Sequence, residues 1–393
     1  MSGKKKYTYK SVLGGNSGDE LYTDYAATTP LSFGVKNNLE QLCYLYGNPS
    51  SRYSLGDITR QYIERSRFAI RTFVCAPDDY DVIFTPSGSG SNTLATEGFL
   101  EANDSMALYS PTLHKSLQNY FKDTRCSCWK LKVNHNGVLD VDDLEEKLRV
   151  NSSSDVTPLV VVEYANSEIG TIQPVEKIIE IAHRYEGIVY LDCTGSIASI
   201  PINLKMLNAD MIGFSGHKLG GLKGCGVLIK RQAIQLKPLI YGSQENGLVG
   251  GTENIFGIVS FGQAVSKYRY INLSQDARRI IMLRLKKIGV KRLIGDKENR
   301  LPNNFFFSIP GINGEELMTR LDVSYNMQVS IGSACNSYSL EPSPTLVAIG
   351  ISEDEASSCI RMTFHGDESI GVIKKRLSCL ESAIREIRKE DVG

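Results

Sequence analysis

The chain has 393 residues, of which 41% are hydrophobic and 22% are charged, as is ordinary for a globular protein that is soluble in water. Lysine plus arginine and aspartate plus glutamate each number 44, and the resulting net charge of zero argues against nucleic acid or an acidic membrane as the main partner. No apolar run approaches the ~20 residues that are needed to span a bilayer.

Residues 1–20 are expected to form an N-terminal tail. Their opening sequence, MSGKKKYTYK, has a basic cluster with no apolar stretch after it, so it resembles neither a secretory signal nor a transit peptide. The nine cysteines have scattered spacings, which fit reduced thiols better than a disulfide framework, and Cys126 and Cys128 lack further ligands at zinc spacing. These features predict a cytoplasmic protein.

The middle of the chain alternates strand-like and helix-like segments. Short apolar runs predict buried strands at residues 81–85, 159–163, 188–192, 210–214 and 226–230. A helical pattern that opens with Pro174 separates two of these strands. This order predicts an α/β fold with a mostly parallel sheet, helices on both faces, and a ligand site beyond the carboxyl ends of the strands.

After about residue 260 the pattern changes to that of a smaller α+β domain. A basic helix-like stretch at residues 276–287 precedes strand-like pieces at residues 303–308 and 327–331, and an amphipathic charged helix is predicted at residues 372–389. We therefore expect a large domain over residues 21–258 and a small C-terminal domain over residues 259–393.

Lys218 and Asp192 carry the first chemical signal. Asp192 ends one predicted strand, and Lys218 follows another in Ser-Gly-His-Lys, so both side chains are expected at the same edge of the sheet. A carboxylate and an amine in this arrangement suit pyridoxal phosphate, since the lysine forms a Schiff base and the acid keeps the pyridine nitrogen protonated. The structural alternatives are a solvated lysine and an aspartate that caps a helix or bonds to a loop.

Residues 85–92 form a Ser/Gly-rich segment between a predicted strand and a helix-like run. Free backbone N–H groups at a helix start, together with the small side chains of Gly88 and Ser89, would make an anion site. No Gly-Lys-Ser/Thr follows, so the segment is not a Walker loop. A flexible turn is the alternative.

Three further residues have both a functional and a structural interpretation. His114, one of five histidines, either stacks on a cofactor ring or is an ordinary structural residue. Cys335 lies among small polar residues, which indicates a mobile loop with a catalytic thiol rather than a packed core position. Arg361 either holds a carboxylate with both arms of its guanidinium or forms a salt bridge.

Taken in order, these motifs resemble the cysteine desulfurases of the class-V aminotransferase family, and the resemblance runs from about Leu21 to about Ile387. The segments that carry it are Tyr22–Pro30, Gly47–Ser51, Ala165–Gly170, Ser215–Lys218, and Gly332–Cys335 with Ser339–Ser343, the last two matching the nucleophile loop of the long-loop subgroup. The resemblance implies a fold-type I enzyme dependent on pyridoxal phosphate, with a mostly parallel seven-stranded sheet in the large domain and the cysteine loop in the small one.

The resemblance also implies roles for the cofactor site. Lys218 would hold the cofactor covalently and later move protons, His114 would stack on its ring and take part in acid–base steps, and Asp192 would pair with its pyridine nitrogen. The phosphate would be held by four residues of the same subunit: Gly88, Ser89, Ser215 and His217. Thr252 would reach the phosphate of the other subunit, which implies a homodimer.

For the substrate, the resemblance implies that Asn166 and Arg361 hold the carboxylate of L-cysteine, with Asn166 also close to the cofactor. Cys335 would attack the sulfur, leaving L-alanine and an enzyme persulfide. A sulfur-acceptor protein, either a scaffold or a sulfur carrier, would then receive the sulfur for iron–sulfur cluster assembly or tRNA thiolation. No metal, no direct nucleic-acid contact and no membrane contact is expected.

Three positions depart from the family pattern. Gly195 stands where the family usually has a glutamine that bonds the ring oxygen of the cofactor. Ser87-Gly88-Ser89 replaces the usual Gly-Ala-Thr, and the Gly-Thr pair at Thr252 lacks the arginine that often precedes it. The chain is therefore expected to be a divergent member of the family.

Two other functions remain open at this point. One is a selenocysteine lyase or another class-V lyase, although such enzymes mostly need no mobile thiol, unlike the one predicted at Cys335. The other is a catalytically impaired protein of this fold that acts as an interaction partner, which Gly195 would favour. The retention of Lys218, His114 and Asp192 argues against decay.

Overall fold

A computed structural model describes residues 21–151, 156–331, 343–366 and 368–390. These residues form two compact units. The larger unit consists of residues 26–271 and 295–301, and the smaller one contains the described residues of 1–25, 272–294 and 302–393. The sequence-based boundary at residue 258 lies within a helix, Ile255–Ser266, and stays a prediction.

The larger unit is built on a seven-stranded sheet with the order β1-β7-β6-β5-β4-β2-β3. Strands β2 to β6 run parallel where they pair, whereas β7 is antiparallel to both β1 and β6. The strands are β1 Tyr80–Thr85, β2 Ala107–Tyr109, β3 Cys128–Lys130, β4 Leu159–Glu163, β5 Ile188–Asp192, β6 Met211–Ser215 and β7 Gly226–Arg231. This architecture confirms the predicted mostly parallel seven-stranded sheet.

Helices cover both faces of this sheet, as predicted. The helices of the unit are α1 Phe33–Asn37, α2 Leu39–Leu42, α3 Ser54–Phe73, α4 Gly88–Asn103, α5 Lys115–Asp123, α6 Val141–Asn151, α7 Val175–Arg184, α8 Leu204–Leu207 and α9 Ile255–Ser266. Alternate residues of each strand point to opposite faces. Val189 and Leu191 of β5 therefore pack in the core with α3, α6, α7 and α9, while Tyr190 packs in the core with α4 and α5.

The smaller unit contains a three-stranded antiparallel sheet with the order β8-β10-β9. Its strands are β8 Asn304–Ser308, β9 Ser330–Ile331 and β10 Cys359–Thr363, and its helices are α10 Gln275–Lys287, α11 Gly314–Tyr325, α12 Pro344–Ala348, α13 Glu353–Ser357 and α14 Ile370–Glu390. Apolar side chains of α10, α11 and α14 pack with those of the sheet in a separate core. The α+β character that the sequence predicts for this part of the chain is thus observed.

Three parallel strands end at one edge of the larger sheet and determine where the chemistry lies. Glu163 at the end of β4 is the register partner of Asp192 at the end of β5. Asp192 in turn pairs with Gly213 of β6, and β6 ends at Ser215, two residues after Gly213. Helix α4 begins directly after β1, with Ser87 as its N-cap. Among the described helices, none is long and apolar enough to cross a membrane.

Candidate active site

The carboxylate of Asp192 is the centre of the site. It is only 4% exposed, and each of its oxygens accepts a hydrogen bond. Asn92 Nδ2 donates to Oδ2 over 3.0 Å, and the backbone N–H of Thr194 donates to Oδ1 over 2.9 Å. Burying a carboxylate costs several kcal/mol unless such donors replace water, so these bonds offset part of the cost of placing Asp192 at the sheet edge.

Asn92 joins Asp192 to two other elements. Its Oδ1 accepts a 2.5 Å hydrogen bond from the hydroxyl of Tyr190, and its Nδ2 also donates to Ser116 Oγ over 3.0 Å. Tyr190 is fully buried, and burial raises the pKa of its hydroxyl well above the usual value, so the hydroxyl remains a donor. Gly213 leaves room for this hydroxyl, since a Cβ there would lie 2.2 Å from it.

His114 is the N-cap of α5, with its Nδ1 accepting from the backbone N–H of Ser116 over 3.2 Å. Desolvation by the surrounding protein lowers its pKa, although the residue keeps an exposed surface. The charge of Asp192 acts in the opposite direction, and the charges of Lys218 and Lys115 add to the lowering. The fold therefore brings both Asp192 and Lys218 into electrostatic range of His114.

Lys218 lies in the 3₁₀ turn Gly216–Leu219 that follows β6. Its Nζ donates to the carbonyl oxygens of Ala26 and Ala27, the latter over 3.0 Å. Next to it, His217 Nδ1 contacts Thr28 Oγ1 at 3.0 Å. Desolvation and the nearby lysine charges lower the pKa of His217 to about 4, so this ring is neutral at physiological pH.

The predicted anion site lies at the N-terminus of α4. Ser87 Oγ accepts a hydrogen bond from the backbone N–H of Gly90. The N–H groups that precede Gly90 in the first turn have no intrahelical acceptor, as at the start of any α-helix. Gly88 is buried between Thr194 Oγ1 and Ser215 Cβ, which a Cβ at Gly88 would approach to 3.1 and 3.4 Å. The hydroxyls of Thr194 and Ser215 are both buried, and neither has a hydrogen-bond partner among the described residues. Two unsatisfied hydroxyls at a helix N-terminus fit the phosphate of pyridoxal phosphate.

Glu163 places a second carboxyl group beside Asp192. The side chain is buried, its Oε1 accepts from the Thr112 hydroxyl, and its Oε2 has no hydrogen-bond partner. Desolvation is the main cause that raises its pKa to about 7, and the neighbouring charge of Asp192 adds to it. Glu163 is thus protonated below about pH 7, so that there it adds little negative charge beside the Asp192 carboxyl group.

Gly195 cannot carry any side chain in this backbone. A Cβ there would lie 2.6 Å from the carbonyl oxygen of Ala165 and 3.1 Å from Ser167 Cβ. The segment that follows β4 therefore occupies the space into which the glutamine of the resemblance would extend. The absence of a side chain at this position, seen in the sequence, is thus matched by close packing of the backbone around it.

Other predicted residues have different surroundings. Asn166 is buried, with its Nδ2 donating to Thr112 O over 2.8 Å and its Oδ1 accepting from the N–H groups of Glu168 and Ile169, each over 2.9 Å. Its amide therefore shapes the turn after β4. Ser89, in the first turn of α4, and Thr252 are both exposed. The binding roles of these residues stay predictions.

In the smaller unit, Arg361 is a buried residue of β10 that donates from Nη2 to Asp24 Oδ1 over 2.8 Å. The salt bridge considered as its structural alternative therefore exists, and its role in carboxylate binding stays a prediction. Cys335 lies outside the described residues. The other eight cysteines are free thiols, and no metal-binding cluster occurs in the described part of the chain.

Sequence reasoning did not single out Asn92, Thr194, Ser116 and Glu163 as site residues. Thr194 had a recognisable signal, since its hydroxyl follows the strand-ending Asp192 by two positions. Glu163 ends an apolar strand, as Asp192 does, so it had the same signal. Asn92 lies in the predicted anion segment, residues 85–92, but nothing there indicated its bond to Asp192. Ser116 had no signal, because its contacts depend on how α4 and α5 pack against the sheet.

Residues 21–370 match the model of the aminotransferase class-V family. A cysteine desulfurase IscS from Dictyoglomus turgidum is 35% identical over 94% of this chain and 95% of its own, and cysteine desulfurase IscS 1 from Archaeoglobus fulgidus is 34% identical over 93% and 97%. A NifS-like protein from Rickettsia africae has a similar structure, with a TM-score of 0.83, 29% identity, and coverage of 93% of this chain and 99% of its own. The structure titled SspA in complex with cysteine gives a TM-score of 0.76 at 29% identity, covering 88% and 99%.

The raised pKa of Glu163 predicts a pH-dependent stability. Between the ordinary pKa of 4.5 and about 7, the folded state keeps a proton that the unfolded state releases, so the unfolding free energy falls as pH rises through this window. Relative to that of Glu163→Gln, the unfolding free energy of the wild type should fall by about 3 kcal/mol between pH 5 and pH 8. Urea denaturation at several pH values measures this difference.

The matched control is Glu180→Gln, which changes an exposed glutamate on α7. Its unfolding free energy should follow that of the wild type at every pH. A Glu163→Gln variant whose stability also runs parallel to the wild type would contradict the raised pKa.

The crowding at Gly195 predicts that restoring the family glutamine destabilises the protein. Gly195→Gln and Gly195→Ala should each lower the unfolding free energy by roughly 1–3 kcal/mol, because both introduce the Cβ that meets Ala165 O. Gly34→Ala is the control, since a Cβ there has open space. A Gly195→Gln variant as stable as the wild type in urea would show that the segment accommodates the side chain.

Proposed function

The chain belongs to the class-V aminotransferase family, and we propose that it is a cysteine desulfurase, which uses pyridoxal phosphate to take sulfur from L-cysteine. The observation that carries the proposal is that Asp192 and Lys218 act electrostatically on His114, near a helix N-terminus where two buried hydroxyls have no partner among the described residues. The names of the full-length relatives and the cysteine complex of a structural neighbour support the same reaction.

The described residues offer a partner for each part of the cofactor. The first turn of α4, Ser215 and Thr194 would hold its phosphate, Asp192 its pyridine nitrogen, and His114 its ring face. Lys218 would hold it covalently. When bound, pyridoxal phosphate supplies an electron sink conjugated to the substrate amine. Gly195 provides no side-chain donor for the ring oxygen, so any such contact falls to another group.

Lys218 is the residue that would move protons during the reaction. Its Nζ lies against two carbonyl oxygens, which accept from the amine and orient it. Lys218 would accept the proton that leaves the substrate Cα and return a proton as alanine forms. Asp192, held in place by its two buried hydrogen bonds, would pair with the ring nitrogen of the cofactor and keep a proton there.

Sulfur transfer is assigned to Cys335. Its thiolate would attack the substrate sulfur, so that an S–S bond forms while the substrate C–S bond breaks, and L-alanine leaves. Arg361 would hold the substrate carboxylate, with Asp24 fixing the guanidinium in place. The persulfide would then pass to an acceptor protein of iron–sulfur assembly or tRNA thiolation. The free thiols in the described part of the chain support a cytoplasmic setting.

Purified protein reconstituted with pyridoxal phosphate tests this function directly. On addition of L-cysteine and a reductant, the wild type should release sulfide and L-alanine in equal amounts. Cys335→Ser should keep the cofactor absorbance and lose sulfide release to background, because the cofactor site is intact while the nucleophile is missing. Lys218→Ala should lower turnover by on the order of 10² or more, since it removes the proton-transfer group.

Cys75→Ser is the control for the thiol, because Cys75 is an exposed cysteine outside the proposed site and should be dispensable. Full sulfide release by Cys335→Ser would contradict the assigned nucleophile. A wild type that binds the cofactor but acts on selenocysteine and not on cysteine would indicate the lyase alternative. Failure to bind the cofactor at all would indicate an interaction protein.

We further propose that the protein forms a homodimer through α2 and α3. Leu55, Ile58 and Tyr62 are exposed on α3 at helical spacing. In the segment just after α2, Tyr44 and Tyr46 are each 70% exposed. Exposed apolar stripes of this kind mark interaction surfaces. A second copy of the chain is the occupant that the family resemblance and the exposed Thr252 both favour.

A charge placed in this stripe should weaken the dimer. Ile58→Asp should shift the sedimentation coefficient toward that of a monomer at low micromolar concentration, because association would bury an unpaired carboxylate. Met206→Asp, at a residue that is 81% exposed on α8, should leave association unchanged. A wild type that sediments as a monomer, or an Ile58→Asp variant as tightly associated as the wild type, would contradict the proposed interface.

A further inference from the structure

His114 Nδ1 lies against two polar groups of the same residue. The backbone N–H of Ser116 is 3.2 Å away and the hydroxyl of Ser116 is 2.9 Å away. A backbone N–H can only donate, so Nδ1 must present its lone pair to it. Rotating the ring by 180° would place a C–H group against both, which removes these hydrogen bonds and leaves the start of α5 uncapped.

The hydrogen of the Ser116 hydroxyl also has a fixed direction. The Asp192 carboxylate accepts a hydrogen bond, so the amide nitrogen of Asn92 must face it. On the other side, the amide oxygen of Asn92 accepts a hydrogen bond from the Tyr190 hydroxyl. The second N–H of Asn92 then donates to Ser116 Oγ over 3.0 Å. With its oxygen accepting from Asn92, Ser116 directs its own O–H to His114 Nδ1.

We infer that Ser116, oriented by Asn92, holds His114 as the neutral tautomer with its proton on Nε2. Both donors point at the one nitrogen that could accept a further proton, so protonation would have to displace them. The charged groups near the ring act in opposite directions on its pKa. Asp192 favours the imidazolium, whereas Lys218 and Lys115 oppose it. The lowered pKa of His114 agrees with this arrangement.

The consequence for catalysis rests on the proposed function. His114 offers Nε2–H as a hydrogen-bond donor and does not serve as a general base, so proton acceptance falls to Lys218. This differs from the acid–base role that the family resemblance suggests for His114. Asn92 and Ser116 act through His114 and are positioning residues rather than catalytic ones.

Histidine labelled with ¹⁵N in both ring positions tests the inference in the full-length protein. Long-range ¹⁵N–¹H correlations distinguish the two neutral tautomers from the imidazolium, and the signal missing from His114→Gln assigns His114 among the five histidines. At pH 7 the ring should be the Nε2–H tautomer and should stay neutral to below its usual pKa of 6.5. An Nδ1–H ring or an imidazolium at pH 7 would overturn the inference.

Variants separate the hydrogen bonds from simple charge effects. Ser116→Ala removes the hydroxyl donor, so the His114 titration midpoint should rise by about one pH unit and a fraction of Nδ1–H tautomer should become detectable. Ser116→Thr keeps a hydroxyl and should restore the wild-type spectrum. Lys115→Ala should also raise the midpoint, because it removes a positive charge, but it should leave the tautomer unchanged.

A Ser116→Ala spectrum identical to that of the wild type in tautomer and midpoint would refute the positioning role, as would a tautomer change in Lys115→Ala of equal size. The spectra require no turnover, so they separate this inference from the proposed activity. A protein without desulfurase activity that still shows the Nε2–H ring would contradict the function and leave the inference standing.

Discussion

The site depends on a carboxylate that is buried where a central parallel strand ends. A carboxylate in this position needs donors that replace water, and the fold provides two of them for Asp192, the Asn92 amide and the Thr194 N–H. Asn92 sits at the right place because α4 starts directly after β1 and packs on the same sheet face as Tyr190. The same amide continues to Ser116 and thus to His114. The need of the buried Asp192 carboxylate for hydrogen-bond donors therefore connects helix α4, the end of β5 and the start of α5.

The departures from the family pattern form a consistent local structure. Gly195 allows the segment after β4 to come within contact distance, and Ala165 and Ser167 fill the space that a glutamine would need. Glu163 adds a second carboxyl group beside Asp192, and its raised pKa keeps it largely uncharged below about pH 7. Decay of an active site would leave unpaired charge or empty space. The surroundings of Asp192 are instead closely packed and largely hydrogen-bonded, which argues against decay.

The sequence predicted the features that follow from local patterns. Strands β4 to β7 were recognisable from apolar, β-branched runs, and parallel strand ends placed Asp192 and Lys218 at one edge. The strands β2 and β3 were not predicted, because three residues are too few to show a period. The bonds from Tyr190 and Asp192 to Asn92 join residues 98 and 100 positions apart, so no pattern within a sequence window can reveal them. The crowding at Gly195 likewise depends on the path of a segment about 30 residues upstream, so the sequence showed only that a side chain was absent.

The central claim is that this strand edge holds pyridoxal phosphate on Lys218. Borohydride reduction of the reconstituted protein makes the bond between cofactor and lysine permanent, and peptide mass spectrometry then locates it. The account predicts one reduced adduct, on Lys218, in a protein that otherwise keeps its mass. An adduct on a different lysine, or the absence of any adduct after reconstitution, would contradict the assignment of the site.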